Sequence, residues 1–138
     1  MISKIFMLLS ASTTMLLGII HLVYTFSGSN LLPRDPALVA AMNQSPLSIT
    51  RETSVLRAWI GFNASHSMAL ILFGLIFGFL AFYHNKLLME STYLQLVGLA
   101  MLVGFLVLAK LYWFSIPVAG VAISLLCYIV SVTAGRIT

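Results

Sequence analysis

Long apolar runs, broken at few positions, dominate this chain. Four of them, at 5–26, 56–83, 92–109 and 116–134, each approach or exceed the roughly 20 apolar residues that a helix needs to cross a bilayer. A β-barrel would instead show short alternating strands separated by frequent turns. In hydrocarbon only a helix or a closed barrel satisfies every backbone donor and acceptor. The pattern therefore predicts an all-α fold, a four-transmembrane-helix bundle forming a single integral membrane domain over 1–138. The first run superficially resembles a secretion signal, with Lys4 before it. It continues apolar through Leu22 and Val23, too long for a signal core, and reads as an uncleaved first span.

The connections are unequal. "HNKLLMEST" predicts a short polar turn between spans two and three, with His84 solvated. "KLYWFSIP" is tighter: Lys110 snorkels, Tyr112 and Trp113 suit the membrane interface, and Ser115 with Pro117 suits a helix start. Between spans one and two lies a long connection, 27–53, that holds three of the four prolines. Within it "DPALVAAMN" predicts a short helix with Asp35 as N-cap and Pro36 first, so the loop is partly helical. Its apolar edge, Leu38, Val39 and Met42, faces either the membrane surface or the end of the bundle. Thr50 is the expected cap of the second span. Arg34–Asp35 and Arg51–Glu52 read as solvated ion pairs, with a sharper alternative in which Arg51 or Arg57 meets a lipid phosphate.

Composition agrees with this picture and narrows it. Hydrophobic residues make up 61% of the chain and charged residues 7%, against about 25% charged in soluble domains. A globule of this size would leave much of that apolar surface in water. The net charge of +4 would suggest nucleic acid in a soluble protein. In a membrane chain it places a few Lys and Arg near anionic lipid, so membrane lipid is the expected partner and nucleic acid is not. Lys4, immediately before the first span, favours a cytoplasmic N-terminus and hence a cytoplasmic C-terminus.

Polar residues inside the spans are the candidate chemistry. At about 100° per residue, Ser10, Thr14, His21 and Thr25 share a narrow sector of the first span. Trp59, Asn63 and His66 share one face of the second. His21 and His66 lie at similar depths on the side of the long connection. The expected site is a pocket between spans one and two, lined by His21, Trp59, Asn63 and His66. Ser91, Gln95 and Gly98 sit near the opposite end of the third span, and Gly120, Ser124, Cys127 and Ser131 form a small-residue stripe on the fourth. Gly74 and Gly78, with Ser67 on the same face, make a close-packing motif that seats a neighbouring helix of the chain or a second protomer.

Three readings of the histidine pair compete. In one, the imidazoles are structural and hydrogen-bond Asn63, a hydroxyl or a carbonyl, and the chain is a non-enzymatic accessory subunit. In another, the pocket binds or transforms a lipophilic molecule, with a histidine handling protons and Asn63 orienting it or the ligand, because ionisable residues inside a membrane are functional candidates. In the third, His21 and His66 are axial ligands of a b-type haem. A metal site is not expected: zinc wants three or four ligands, and Asp35, Glu52 and Glu90 all lie outside the spans. A single cysteine, Cys127, excludes an intrachain disulfide. No metalloprotease, redox-dithiol, serine-hydrolase or phosphate-loop spacing occurs.

The segments "GIIHLVYTFSG", "LLPRDPALVAAM", "RAWIGFNASHSMALILFGLIFGFLA" and "LYWFSIPVAGVA" together resemble a group of small bacterial four-span integral membrane proteins with no assigned function. The distinctive piece is W-x-G-F-N-x-S-H, Trp59 to His66. The resemblance covers nearly the whole chain and implies a bacterial inner (cytoplasmic) membrane. It implies no reaction, substrate or cofactor.

Overall fold

Four apolar helices account for most of the chain in the computed structural model, which describes residues 1–137. They are α1 (Ile2–Phe26), α3 (Val55–Tyr83), α5 (Thr92–Tyr112) and α6 (Ser115–Ile137). Each is long and apolar enough to cross a membrane. Two shorter helices, α2 (Pro36–Gln44) and α4 (Asn85–Glu90), lie in the connections. The protein is thus a multi-pass membrane protein built as a four-helix bundle, as the hydropathy pattern predicts.

The chain divides into two compact units. The first, the bundle proper, comprises Met1–Leu17 and the chain from Leu70 onward; the second is Gly18–Ala69. Helices α1 and α3 contribute to both.

The bundle has a conventional apolar core. Met7, Phe73, Phe77, Leu88, Leu102 and Tyr128 are buried there. Phe73 and Phe77, one helical turn apart on α3, stack at 4.5 Å between ring centroids. Tyr128 meets Phe77 edge-on at 5.8 Å and donates its hydroxyl to the Gln95 carbonyl at 2.8 Å. Small residues permit these approaches. A Cβ at Gly98 would lie 2.7 Å from the Phe77 ring, and one at Gly74 would lie 2.7 Å from the Ala11 carbonyl oxygen. The close-packing face of Gly74 and Gly78 is therefore filled by α1 of the same chain. The turn-side end is tied by polar bonds. Gln95 donates to the carbonyls of Leu88 and Met89 and accepts from Arg136, and Lys4 donates to the Phe82 carbonyl at 2.9 Å.

A hydroxyl seam joins α1 to α6 inside the bundle. Ser124 Oγ lies 2.9 Å from Ser10 Oγ and 2.6 Å from Thr14 Oγ1, and it also bonds the Ser10 carbonyl. Ser131 repeats the arrangement one heptad on, donating to the Ser3 carbonyl at 2.7 Å. Lipid tails are as apolar as leucine, so burial alone does not drive helices together in a membrane. Close packing and hydrogen bonds such as these do.

The connections depart from their sequence reading in four places. Asp35 caps α2 as expected, accepting from the Ala37 amide at 2.9 Å. After α2, however, the chain forms a small antiparallel hairpin, β1 (Pro46–Leu47) and β2 (Thr50–Ser54). Thr50 consequently does not cap the second span. Its hydroxyl accepts from the Glu52 amide, and Ser54 takes the capping position by accepting from the Arg57 amide. Neither Arg34–Asp35 nor Arg51–Glu52 closes as an ion pair. Residues adjacent in sequence lack the i,i+4 helical spacing that brings charges together, and the ion pair among the described residues is Lys86–Glu90, one helical turn apart on α4. That helix also replaces the plain turn expected there. His84 precedes it, with its ring 5.2 Å from that of Phe79.

Candidate functional site

The face that carries Trp59, Asn63 and His66 on α3 meets His21 on α1 within the unit 18–69. His21 Nε2 lies 3.0 Å from Asn63 Oδ1. Asn63 Nδ2 donates to the Trp59 carbonyl at 2.8 Å, which fixes the amide's orientation because a carbonyl only accepts. Asn63 Oδ1 is likewise only an acceptor, so the hydrogen between it and His21 sits on His21 Nε2. In the neutral ring the lone pair is then on Nδ1. The His66 ring stands edge-on to the His21 ring at 5.3 Å and 71°.

Helix periodicity explains why these groups meet. Asn63 and His66 are three residues apart and so project from one side of α3. Two further hydroxyls bond back into their own helices. Thr25 donates to the His21 carbonyl at 2.8 Å, and Ser67, fully buried, donates to the Asn63 carbonyl at 2.8 Å.

Trp59 has a second part besides the pocket-lining one its helical face suggests. Its indole Nε1 donates to the Leu31 carbonyl at 2.8 Å and so pins the connection to the start of α3. Gly28 makes the required turn after α1 with φ of +81°, a conformation that side chains disfavour. Beneath this bend is a cleft of about 220 Å³ lined by Tyr24, Phe26, Leu31, Leu32, Trp59 and Asn63, among others. Of the four residues expected to form the pocket, Trp59 and Asn63 line this cleft. His21 stands behind Asn63, bonded to its amide oxygen, and His66 stands against His21.

The polar sector of α1 proves to serve two purposes. Ser10 and Thr14 turn to Ser124 on α6, whereas His21 turns to Asn63 on α3. The cleft residues Tyr24, Phe26 and Leu31 carried no sequence signal of their own. They are apolar or aromatic positions of the kind that line any span end. Among the described residues no group of three or more His, Cys, Asp or Glu gathers at metal-binding distance. Iron ligation through His21 Nε2 would require breaking its bond to Asn63. No protein-family model matches the chain, and no curated protein and no solved structure matches it.

Proposed function

We propose that this membrane protein binds a lipophilic molecule at the cleft beside Asn63, with the His21–Asn63 pair as its polar end. The reading rests on one observation. An aromatic-lined cleft opens at Asn63, a buried amide that is hydrogen-bonded to the half-buried imidazole of His21. Apolar walls with a few placed polar groups are the usual make-up of a small-molecule site. Asn63 Oδ1 has a second lone pair beyond the one that His21 uses, so it can accept from a ligand without giving up the pair.

A second reading has its own observation. Both functional atoms of the Asn63 amide already have partners inside the chain, as packing glue in an accessory subunit would.

One experiment separates them. The wild type and Asn63→Leu are purified in mild detergent, and co-purified lipophiles are quantified by mass spectrometry alongside thermal stability. Binding requires a near-stoichiometric lipophile in the wild type that is lost in the variant. Equal retention with only a lowered melting temperature, reflecting about 0.6–2 kcal/mol for a lost interhelical bond, establishes the packing reading instead. An absorbance spectrum of the same wild-type sample tests the haem alternative.

A further inference from the structure

The aromatic cleft is small for the ligand class proposed for it. Its volume, about 220 Å³, falls below the ~300–1,000 Å³ of sites that bury a small molecule. But Leu32 lines both this cleft and a second one of about 460 Å³, whose other walls are Ser29, Pro33, Arg34, Pro36 and Val39. Together the two volumes come within that range. Leu32 is the wall that the two share, so a ligand spanning both passes it.

The two compartments differ in chemistry along that path. The first lies between the ends of helices long enough to cross a membrane; Tyr24, Phe26 and Trp59 give it aromatic walls, and Thr25 and Asn63 are its polar side chains. The second lies in the connection and carries a guanidinium and a hydroxyl, from Arg34 and Ser29. Arg34 pairs with no carboxylate among the described residues. The adjacent Asp35 is committed to the Ala37 amide, so its charge is partly engaged by the start of α2. The guanidinium fork matches phosphate in geometry and charge. Aromatic walls beside a cleft that carries an unpaired arginine suit an amphiphile, with its chain against the rings and its phosphate at the guanidinium.

We infer that the joined clefts hold one phosphate-bearing lipid, its phosphate at Arg34 and Ser29 and the first part of its chain past Leu32 against Trp59 and Phe26. This rests on the lipophile reading above and adds to it the ligand's class and the residues that select it.

The test is native mass spectrometry of the detergent-solubilised full chain, titrated separately with dioleoyl phosphatidylglycerol, dioleoyl glycerol and glycerol phosphate. One phosphatidylglycerol is expected to bind per chain, at least tenfold more tightly than the diacylglycerol, with no measurable binding of glycerol phosphate. Arg34→Gln is expected to lower phosphatidylglycerol affinity at least tenfold and leave diacylglycerol binding unchanged. Arg51→Gln, in the same connection but outside both clefts, is expected to change neither. Equal binding of the two dioleoyl compounds, unaffected by Arg34→Gln, overturns this inference and leaves the lipophile reading standing. Glycerol phosphate binding as tightly as phosphatidylglycerol overturns the chain's placement in the aromatic cleft. Saturable binding of none of the three overturns this inference, and the co-purified lipophile then decides the broader reading.

Discussion

In the bundle, the fully buried positions include Met7, Phe73, Leu88, Leu102 and Tyr128. Between Gly18 and Ala69 the buried side chains are Ser54, Asn63 and Ser67. Both regions use hydrogen bonds between helices, but only the bundle adds a core of large apolar side chains. The loop-side unit is held by a short series of polar bonds: His21 to Asn63, Asn63 to Trp59, Trp59 to Leu31. Few buried apolar contacts and many hydrogen bonds near the surface mark the parts of a protein that open locally at low cost, and binding regions are drawn from these. The difference therefore argues that the bundle carries most of the stability, and it suits the binding role proposed for 18–69.

Substitutions at three positions sharpen or break this contrast. Phe77→Ala removes the ring shared by Phe73 and Tyr128 at the centre of the bundle. A buried Phe→Ala change costs about 3–5 kcal/mol in soluble proteins, and the low end, about 3, applies where lipid rather than water is the alternative solvent. Denaturant titration in detergent should show this as a global loss of stability. If the loss is no larger than that of a surface substitution, the bundle is not the stabilising unit.

Ser124→Ala tests the hydroxyl seam. It strips the shared partner from both Ser10 and Thr14, while Thr14 keeps its bond to the Ser10 carbonyl. The expected cost is about 0.6–2 kcal/mol, again global, read in the same titration. Ser124→Thr, which retains a hydroxyl but adds a methyl group, separates the loss of the bond from the tightness of the seam.

Trp59→Phe should have the smallest effect on the whole and the most local one. It keeps an aromatic wall in the cleft and deletes the bond to the Leu31 carbonyl. One such bond contributes about 0.5–1.5 kcal/mol. The change is expected to speed hydrogen exchange in the segment 28–33 by up to about tenfold while leaving the global transition in place. A cooperative loss of the entire fold would show that the two regions do not differ in stability as their packing indicates.

Much of this organisation is legible in the chain. The four spans follow from hydropathy because lipid forces each crossing segment to satisfy its own backbone. The α2 cap follows from "DP", since a carboxylate before a proline suits a helix start. That His21 faces the side of the second span carrying Asn63 and His66 follows from the similar depth of the two histidines and the shared face of Asn63 and His66. Its partner, among Asn63, a hydroxyl or a carbonyl, does not. Thr50 was misplaced as a cap because a hairpin with two and five residues in its strands leaves almost no periodic signal. Arg34–Asp35 and Arg51–Glu52 do not pair, since adjacent residues lack the i,i+4 spacing that brings Lys86 to Glu90 on a helix.

What the sequence determined by itself is the solvent this protein requires, the number of crossings and the few polar residues that must find partners within them. Which partner each one finds is a property of the tertiary structure. Ser10, Thr14 and His21 share a sector of α1, yet the first two bond α6 and the third bonds α3. A helix face specifies a direction, and only the packed neighbours specify what lies in it. The same holds for the cleft. Tyr24, Phe26, Leu31 and Leu32 are ordinary apolar positions until the turn at Gly28 and the Trp59–Leu31 bond fold the connection over them.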